Sequence, residues 1–220
     1  MNYMKPLQIK AYDSLKDMII GGHFEKGKIY SETKTSIELG ISRTPMRDAV
    51  QRLAQEKYLD VIPSRGFRIH EMTEQDLLDT YQIRCALEGF CTIQLARNCT
   101  AAKARKVIKS LERFILCQET VVNDAGTVED FAPYDQKFHE HIVNYSNNAT
   151  LIEVFRNYFY QISSQMYISL RTEGRMKQTV EEHKKILGAI KSGSLEKSYL
   201  ATLEHLEKPK IIIQSIQKRS

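Results

Sequence analysis

Four side chains in the second half of the chain could together bind a transition-metal ion. Asp135 and His139 are separated by one helical turn, which places them on the same face of a helix. His183 lies ten residues before Gly193 and His205 twelve residues after it, so an antiparallel helical hairpin turning at this glycine would bring both histidines level. One carboxylate and three imidazoles in the core of a helical bundle can hold such an ion. We therefore predict a metal site formed by Asp135, His139, His183 and His205.

The competing interpretation is that these histidines are ordinary core residues. A single histidine that faces a core is more often a hydrogen-bonded structural residue than a ligand. Four candidates that converge by simple geometry favour the metal site over this alternative. His141 is two residues from His139 and points elsewhere, while His23 and His70 belong to the first third of the chain, so all three are left out of the site.

The elements that must position these ligands are helices. After residue 73 the apolar residues recur at helical spacing, and no alternating strand pattern is found. We expect six helices, the first beginning at the capping-box sequence Thr73–Asp76 and the fourth extending from Leu151 to Met166. Pro209 should kink or break the last helix. Six helices with short connections predict an all-α bundle over residues 73–220.

The first third of the chain has the pattern of a winged helix-turn-helix. A short helix is expected at Glu32–Leu39, capped by Ser31, and a longer helix follows after a tight turn. Two extended runs, Leu59–Ile62 and Phe67–Glu71, are then separated by the turn Pro63–Gly66. The fold class is therefore mainly α, with a winged helix-turn-helix and a small β-hairpin wing over residues 1–72, followed by the bundle.

The longer helix presents two arginines near its start. Ser42 is the expected N-cap, and Arg43 and Arg47 lie one turn apart on an exposed face. The opposite, apolar stripe consists of Met46, Val50 and Leu53. Arginines at the N-terminal end of such a helix can enter a DNA major groove and form bidentate contacts to guanine. A solvated helix start with two surface arginines is the alternative.

Three segments of this region, Ser42–Ala49, Arg52–Ala54 and Ser64–Phe67, resemble the N-terminal domain of GntR-type bacterial transcription regulators. The resemblance implies that Arg43 and Arg47 contact bases and that Thr44 contacts phosphate. It also implies that Arg52 lies near the DNA backbone and that Arg65 and Gly66 reach the minor groove from the wing.

The second half resembles the FCD domain, the effector domain of the FadR-type branch of these regulators. The segments that carry this resemblance are Asp135–His139, Glu182–His183 with Ile186–Leu187, and His205–Leu206. Members of the family hold zinc, nickel or a similar divalent ion with four such ligands, and the mixed nitrogen and oxygen set excludes neither metal.

Arg84 lies inside a mostly apolar helix of the same half. The simplest interpretation is an ion pair with Glu88, four residues along the helix. The resemblance implies instead that Arg84 faces the metal cavity and binds the carboxylate of an effector, a task that suits a guanidinium fork. Arg171 and Tyr134 are poorer candidates for this role.

Composition sets outer bounds on location. The 220 residues have a net charge of +5, which permits binding to nucleic acid without predicting it. No run of 18 apolar residues and no apolar signal-peptide core are found, so neither a membrane span nor secretion is expected. The four cysteines form no Cys-x-x-Cys motif and are expected to be reduced thiols in the cytoplasm: Cys85, Cys91, Cys99 and Cys117.

Together these features predict a cytoplasmic, metal-containing transcription regulator. A homodimer would bind a palindromic operator, because the two-fold symmetry of the protein requires a two-fold symmetric site. A small organic acid would bind between the metal and Arg84 and alter operator affinity, in a direction that the sequence does not encode. The resemblance implies release from the operator, the commoner outcome in the family. The alternatives are a regulator for which the metal itself is the signal, one in which the metal only stabilises the bundle, and a metal-dependent hydrolase.

Overall fold

The computed structural model describes residues 7–218, in which the chain contains ten helices and one two-stranded sheet. The predicted mainly helical fold with a β-hairpin wing is confirmed. The chain divides into two compact units between Thr73 and Glu74. No helix of the described part is long and apolar enough to cross a membrane.

The first unit contains three helices and the hairpin. Its elements are α1 (Leu7–Ile20), α2 (Glu32–Glu38), α3 (Arg43–Gln55), β1 (Leu59–Ile62) and β2 (Gly66–Ile69). The strands are antiparallel, with Leu59 opposite Ile69 and Ile62 opposite Gly66. Helices α2 and α3 form the predicted helix-turn-helix, and α1 packs against α3.

The two predicted N-caps behave differently. The Ser31 hydroxyl accepts a hydrogen bond from the backbone N–H of Lys34, as a capping serine should. Ser42 has the extended backbone of an N-cap, but its hydroxyl forms no capping hydrogen bond. Ser42 is exposed, next to Arg43 at the start of α3.

The wing is fixed by a close approach of two backbones. Tyr30 exchanges two backbone hydrogen bonds with Phe67, at 2.7 and 2.9 Å. Gly66 next to it has φ +125°, and a Cβ at this position would lie 2.0 Å from the carbonyl oxygen of Tyr30. Only glycine fits this position without displacing the backbone.

The second unit is an all-helical bundle. Its helices are α4 (Glu74–Arg97), α5 (Ala102–Asn123), α6 (Val128–Tyr145), α7 (Ala149–Asn157), α8 (Phe159–Leu170), α9 (Arg175–Lys191) and α10 (Leu195–Gln217). Helix α4 begins where the capping-box sequence predicts. Helix α6 begins with a complete capping box in which Thr127 and Asp130 bond to each other's backbone N–H.

The number of helices in the predicted bundle is wrong. The fourth predicted helix is divided into α7 and α8, because Tyr158 leaves the helical conformation at φ −92° and ψ 1° and its N–H bonds to Phe155 three residues back. The bundle therefore has seven helices in the described chain instead of six. Pro209 does not break α10, which continues to Gln217 while packing along α4 and α9.

Candidate metal centre and DNA-binding surface

The structure brings the four predicted ligands together in the core of the bundle. Asp135 and His139 lie on α6, His183 on α9 and His205 on α10, and all four are buried. The Nε2 atoms of His139 and His205 are 3.1 Å apart. The carboxylate oxygens of Asp135 lie 3.9 Å from Nε2 of His139 and 3.7 Å from Nε2 of His183. One nitrogen from each histidine falls within 4.8 Å of the others, a spacing that can hold a metal ion.

The Nδ1 atom of each histidine is held by an acceptor on another residue. Glu88 Oε2 lies 2.6 Å from Nδ1 of His139. Gln118 Oε1 lies 2.9 Å from Nδ1 of His183. Glu182 Oε2 lies 2.7 Å from Nδ1 of His205. Such acceptors fix the orientation and tautomer of histidines that bind metals.

These contacts determine where the lone pairs point. An ionised carboxylate only accepts, so Nδ1 of His139 and Nδ1 of His205 carry hydrogen. In the neutral form of each ring Nε2 carries a lone pair, and a cation beside the two Nε2 atoms, which are 3.1 Å apart, would remove their repulsion. Nε2 of His183 is buried and has no hydrogen-bond partner among the described residues. The donors at this centre therefore fit a divalent transition metal by charge and by chemistry.

The protonation states favour the same arrangement. Burial lowers the pKa of His183 well below its usual value, and the neighbouring charges of His205 and His139 lower it further. Burial also lowers the pKa of His205, against the opposing effect of the hydrogen bond that Nδ1 donates to Glu182. Burial alone would raise the pKa of Glu88, but Arg84 and His139 outweigh it and lower that pKa to about 2. Burial thus favours the neutral, metal-binding form of His183 and His205.

Arg84 pairs with Glu88 and also lines the cavity beside the candidate metal centre. Its side chain is buried, and Nε donates to Glu88 Oε1 at 2.5 Å. It also lines a cavity together with Asp135, His139 and His205. This cavity has a volume of about 10 Å³, enough for one water molecule. Arg171, by contrast, is exposed and pairs with Glu129.

Four polar residues around the centre were not singled out in the sequence. Glu88 was considered only as a partner of Arg84, although it also holds His139. Glu182 precedes His183 in the motif, which was the available signal for its role. Gln118 and Arg175 have no local signal, because their relation to the centre depends on how α5 and α9 pack.

The predicted DNA-contacting residues lie on the surface of the first unit. Arg43, Thr44 and Arg47 are exposed on α3, and Arg65 is exposed at the tip of the wing. A concave surface between α3, the wing and the start of α2 encloses a volume of about 460 Å³. Its lining includes Arg47, Gln51, Arg65 and Gly66. This shape and charge fit a nucleic-acid backbone and groove.

Arg52 is engaged within the protein. Its Nε lies 3.1 Å from Glu56 Oε1, and its guanidinium lies 4.1 Å from the centre of the Tyr12 ring. The Tyr12 hydroxyl donates to Glu56 at 2.5 Å. Arg52 therefore connects α3 to α1 while more than half of its side chain stays exposed.

Comparisons with known proteins match both units. The FCD domain family matches residues 79–208, and the family of bacterial regulatory proteins named gntR matches residues 7–69. The gluconate operon transcriptional repressor of Bacillus licheniformis is 28% identical over 179 residues, which are 81% of this chain and 70% of that protein.

Two solved structures share the fold. McbR/YncC of E. coli superposes with a TM-score of 0.69 at 22% identity, covering 97% of this chain and all of that one. The FCD domain of TM0439, described as metal-free, has a TM-score of 0.56 at 20% identity and covers 67% of this chain and 99% of its own. Since the matched family and the named relatives are regulators, the hydrolase alternative falls away. The chain belongs to the GntR family of bacterial regulators and is a DNA-binding transcription regulator with an FCD domain.

Proposed function

We propose that the bundle, residues 73–220, binds a divalent transition metal through Asp135, His139, His183 and His205, and that a small carboxylate bound beside it changes operator affinity. The observation that carries the metal proposal is the convergence of three Nε2 atoms whose Nδ1 atoms are each bonded to an acceptor. Zinc and nickel both suit this ligand set. A similar FCD domain is described by its metal-free state, which agrees with a family that takes up metal.

Metal analysis of the purified protein tests this proposal. His183→Ala and His205→Ala should each lose most of the bound metal. His141→Ala is the matched control, because His141 is on the same helix as His139 but its Nδ1 faces the carbonyl oxygen of Lys137. Wild-type metal content in both ligand variants would overturn the site.

Arg84 is the proposed contact for the effector carboxylate. When bound, the metal supplies a second positive pole for that carboxylate, next to the guanidinium. Arg84 now donates Nε to Glu88, which leaves its terminal N–H groups for a ligand in the cavity. A relative at 28% identity is named for a gluconate operon, and gluconate is a small hydroxy-carboxylate.

A thermal-shift screen of small carboxylates against metal-loaded and chelator-treated protein tests the effector proposal. Stabilisation that requires both the metal and Arg84 is the expected result, with Arg84→Ala as the variant. Arg105→Ala is the control, because Arg105 is exposed on α5 and does not line the cavity. Equal stabilisation of Arg84→Ala would remove Arg84 from the site.

A metal sensor is the second candidate function, and the cavity itself favours it. About 10 Å³ accommodates an ion or a water molecule, whereas an organic acid must displace some of the lining side chains. Operator affinity measured with metal alone separates the two functions. A large change without any acid would favour the sensor, and no change until an acid is added would favour the carboxylate effector.

For the DNA-binding unit, residues 1–72, we propose a homodimer that represses transcription from a palindromic operator. Arg43 and Arg47 would contact base edges, and Thr44 and Arg52 would contact the backbone. Arg65 and Gly66 at the wing would lie in the minor groove. This assignment is supported by the position of Arg47, Arg65 and Gly66 on one concave surface and by the family, whose members act on operators. Arg43 and Thr44 are exposed on the same helix as Arg47.

A further inference from the structure

A second buried arginine lines the cavity that Arg84 lines. Arg175, the first residue of α9, is 2% exposed. Its two terminal nitrogens donate to both oxygens of Glu182, at 2.9 and 2.8 Å. Glu182 also accepts from Nδ1 of His205. Glu182 thus bonds to both Arg175 and His205, and Glu88 bonds in the same way to both Arg84 and His139.

Two polar atoms at this end of the cavity have no partner among the described residues. One is the Nε–H donor of Arg175, and the other is the hydroxyl oxygen of Ser169, which is 1% exposed. Both residues line the cavity. Buried polar atoms are nearly always paired, so two unpaired atoms on residues that line the same small cavity indicate a missing polar group.

The net charge of the side chains around the cavity limits how many anionic groups can bind there. Two arginines and three ionised carboxylates have a net charge of −1, and a bound divalent ion changes it to +1. The groups are Arg84, Arg175, Glu88, Glu182 and Asp135. One carboxylate therefore neutralises the metal-loaded site, whereas a second would restore a buried, uncompensated charge.

The unpaired atoms also fit a hydroxyl. Each terminal nitrogen of Arg175 donates one N–H to Glu182, and Nε–H is the donor without a partner among the described residues. Ser169 can both donate and accept. An alcohol oxygen can accept from Arg175 and exchange a hydrogen bond with Ser169, without adding charge.

We propose that Ser169 and Arg175 form a second anchor that selects an effector with one carboxylate and one hydroxyl. The carboxylate lies at the Arg84 end and the hydroxyl at the Ser169 end. The effector class is a short monoanionic hydroxy acid, since the cavity is small and a shorter chain displaces fewer side chains. This inference rests on the proposed function, which supplies the metal and the carboxylate.

The test compares acids that differ by one hydroxyl. Titration calorimetry on metal-loaded protein would use lactate against propionate, and 3-hydroxybutyrate and 4-hydroxybutyrate against butyrate, with succinate as the dicarboxylate. In the wild type, at least one hydroxy acid should bind roughly tenfold more tightly than its deoxy partner, the effect of one buried hydrogen bond. Succinate should bind more weakly than that hydroxy acid.

Ser169→Ala should remove the advantage of the hydroxyl and leave the affinity of the deoxy acid and the metal content unchanged. Ser198→Ala is the matched control, because this buried hydroxyl already donates to the carbonyl oxygen of Ser194 on its own helix. It should retain the full hydroxy-acid preference. A preference that is specific to Ser169 supports the anchor.

The outcomes separate this inference from the proposed function. If deoxy and hydroxy acids bind equally, or if Ser169→Ala weakens both by the same factor, the anchor is wrong and carboxylate binding stands. The anchor is also wrong if succinate binds most tightly. If none of these acids binds metal-loaded protein, the carboxylate effector and the anchor are overturned together.

Discussion

His139 and His205 face each other across the bundle with their Nε2 atoms 3.1 Å apart. Both rings donate Nδ1–H to a carboxylate, and in the neutral form of the rings the facing Nε2 atoms are two acceptors. A cation bound at this point removes the repulsion between them and holds α6 and α10 together. Metal binding should therefore contribute directly to the stability of the bundle.

Addition of zinc or nickel to chelator-treated protein should raise its melting temperature. At a free ion concentration about 100 times the Kd, the native state gains about 2.7 kcal/mol, or roughly 5–10 °C for a protein of this size. Thermal unfolding followed by circular dichroism measures the shift. His205→Ala should lose the response and His141→Ala should retain it. A full response in His205→Ala would show that the ions act elsewhere.

Glu88 should control metal affinity although it is not a ligand. It holds Nδ1 of His139 with one oxygen and Arg84 with the other. Glu88→Gln keeps the shape of the side chain but removes the charge, so His139 becomes a weaker and less well oriented ligand. Metal affinity, measured by competition with a chromogenic chelator, should fall about 10- to 100-fold.

Glu112→Gln is the control for this experiment. Glu112 is an exposed carboxylate on α5 that pairs with Lys191, so its removal changes the net charge by the same amount without touching the centre. Metal affinity should remain at the wild-type value. Equal losses in both variants would mean that overall charge, and not the contact to His139, determines affinity.

Some features of this molecule follow from local sequence and some do not. The start of α3 at Arg43 follows from the position of Ser42 and from the apolar spacing of the helix. The division of α7 from α8 at Tyr158 was missed, because neither proline nor glycine marks it. Pro209 predicts a kink or a break, and α10 continues through it to Gln217 without a break.

The same limit applies to the candidate site. Helical spacing and similar distances from Gly193, ten and twelve residues, were enough to predict that His183 and His205 meet. The acceptors behind them come from other helices, and Gln118 in particular is 65 residues from His183. Such partners depend on how each helix is rotated about its axis in the bundle. The apolar pattern determines only which face of the helix is buried.

Arg47 should carry a large share of operator specificity. It is exposed on α3 and lines the concave surface shared with the wing. Arg47→Ala should cost about 1–3 kcal/mol in binding to the preferred operator, because a bidentate contact to guanine is lost. The operator can be obtained by selection from random duplexes, and binding measured by fluorescence anisotropy.

Arg105→Ala provides the control for a general loss of positive charge, since Arg105 is exposed on α5 in the other unit. It should leave operator affinity nearly unchanged. Sequences selected with Arg47→Ala should also lose the base preference at one operator position. If affinity falls equally on every sequence, Arg47 contacts phosphate and not a base edge.

Gly66→Ala should destabilise the wing even in the absence of DNA. A Cβ at this position would lie 2.0 Å from the carbonyl oxygen of Tyr30, in addition to the strain of φ +125°. Gly40→Ala is the matched control, because Gly40 also has a positive φ, +63°, but has no atom within 4 Å of the added Cβ. The control should cost about 1–2 kcal/mol from backbone strain alone.

Gly66→Ala should cost more than this control, because the backbone of Tyr30 or the hairpin must move. Hydrogen exchange measured on peptides of β1 and β2 locates the change, since the amides that pair the strands should exchange faster only in Gly66→Ala. If both variants lose equal stability and the hairpin stays protected, the close approach to Tyr30 is not what requires glycine. A loss of operator binding in that case would instead come from contact between the wing and DNA.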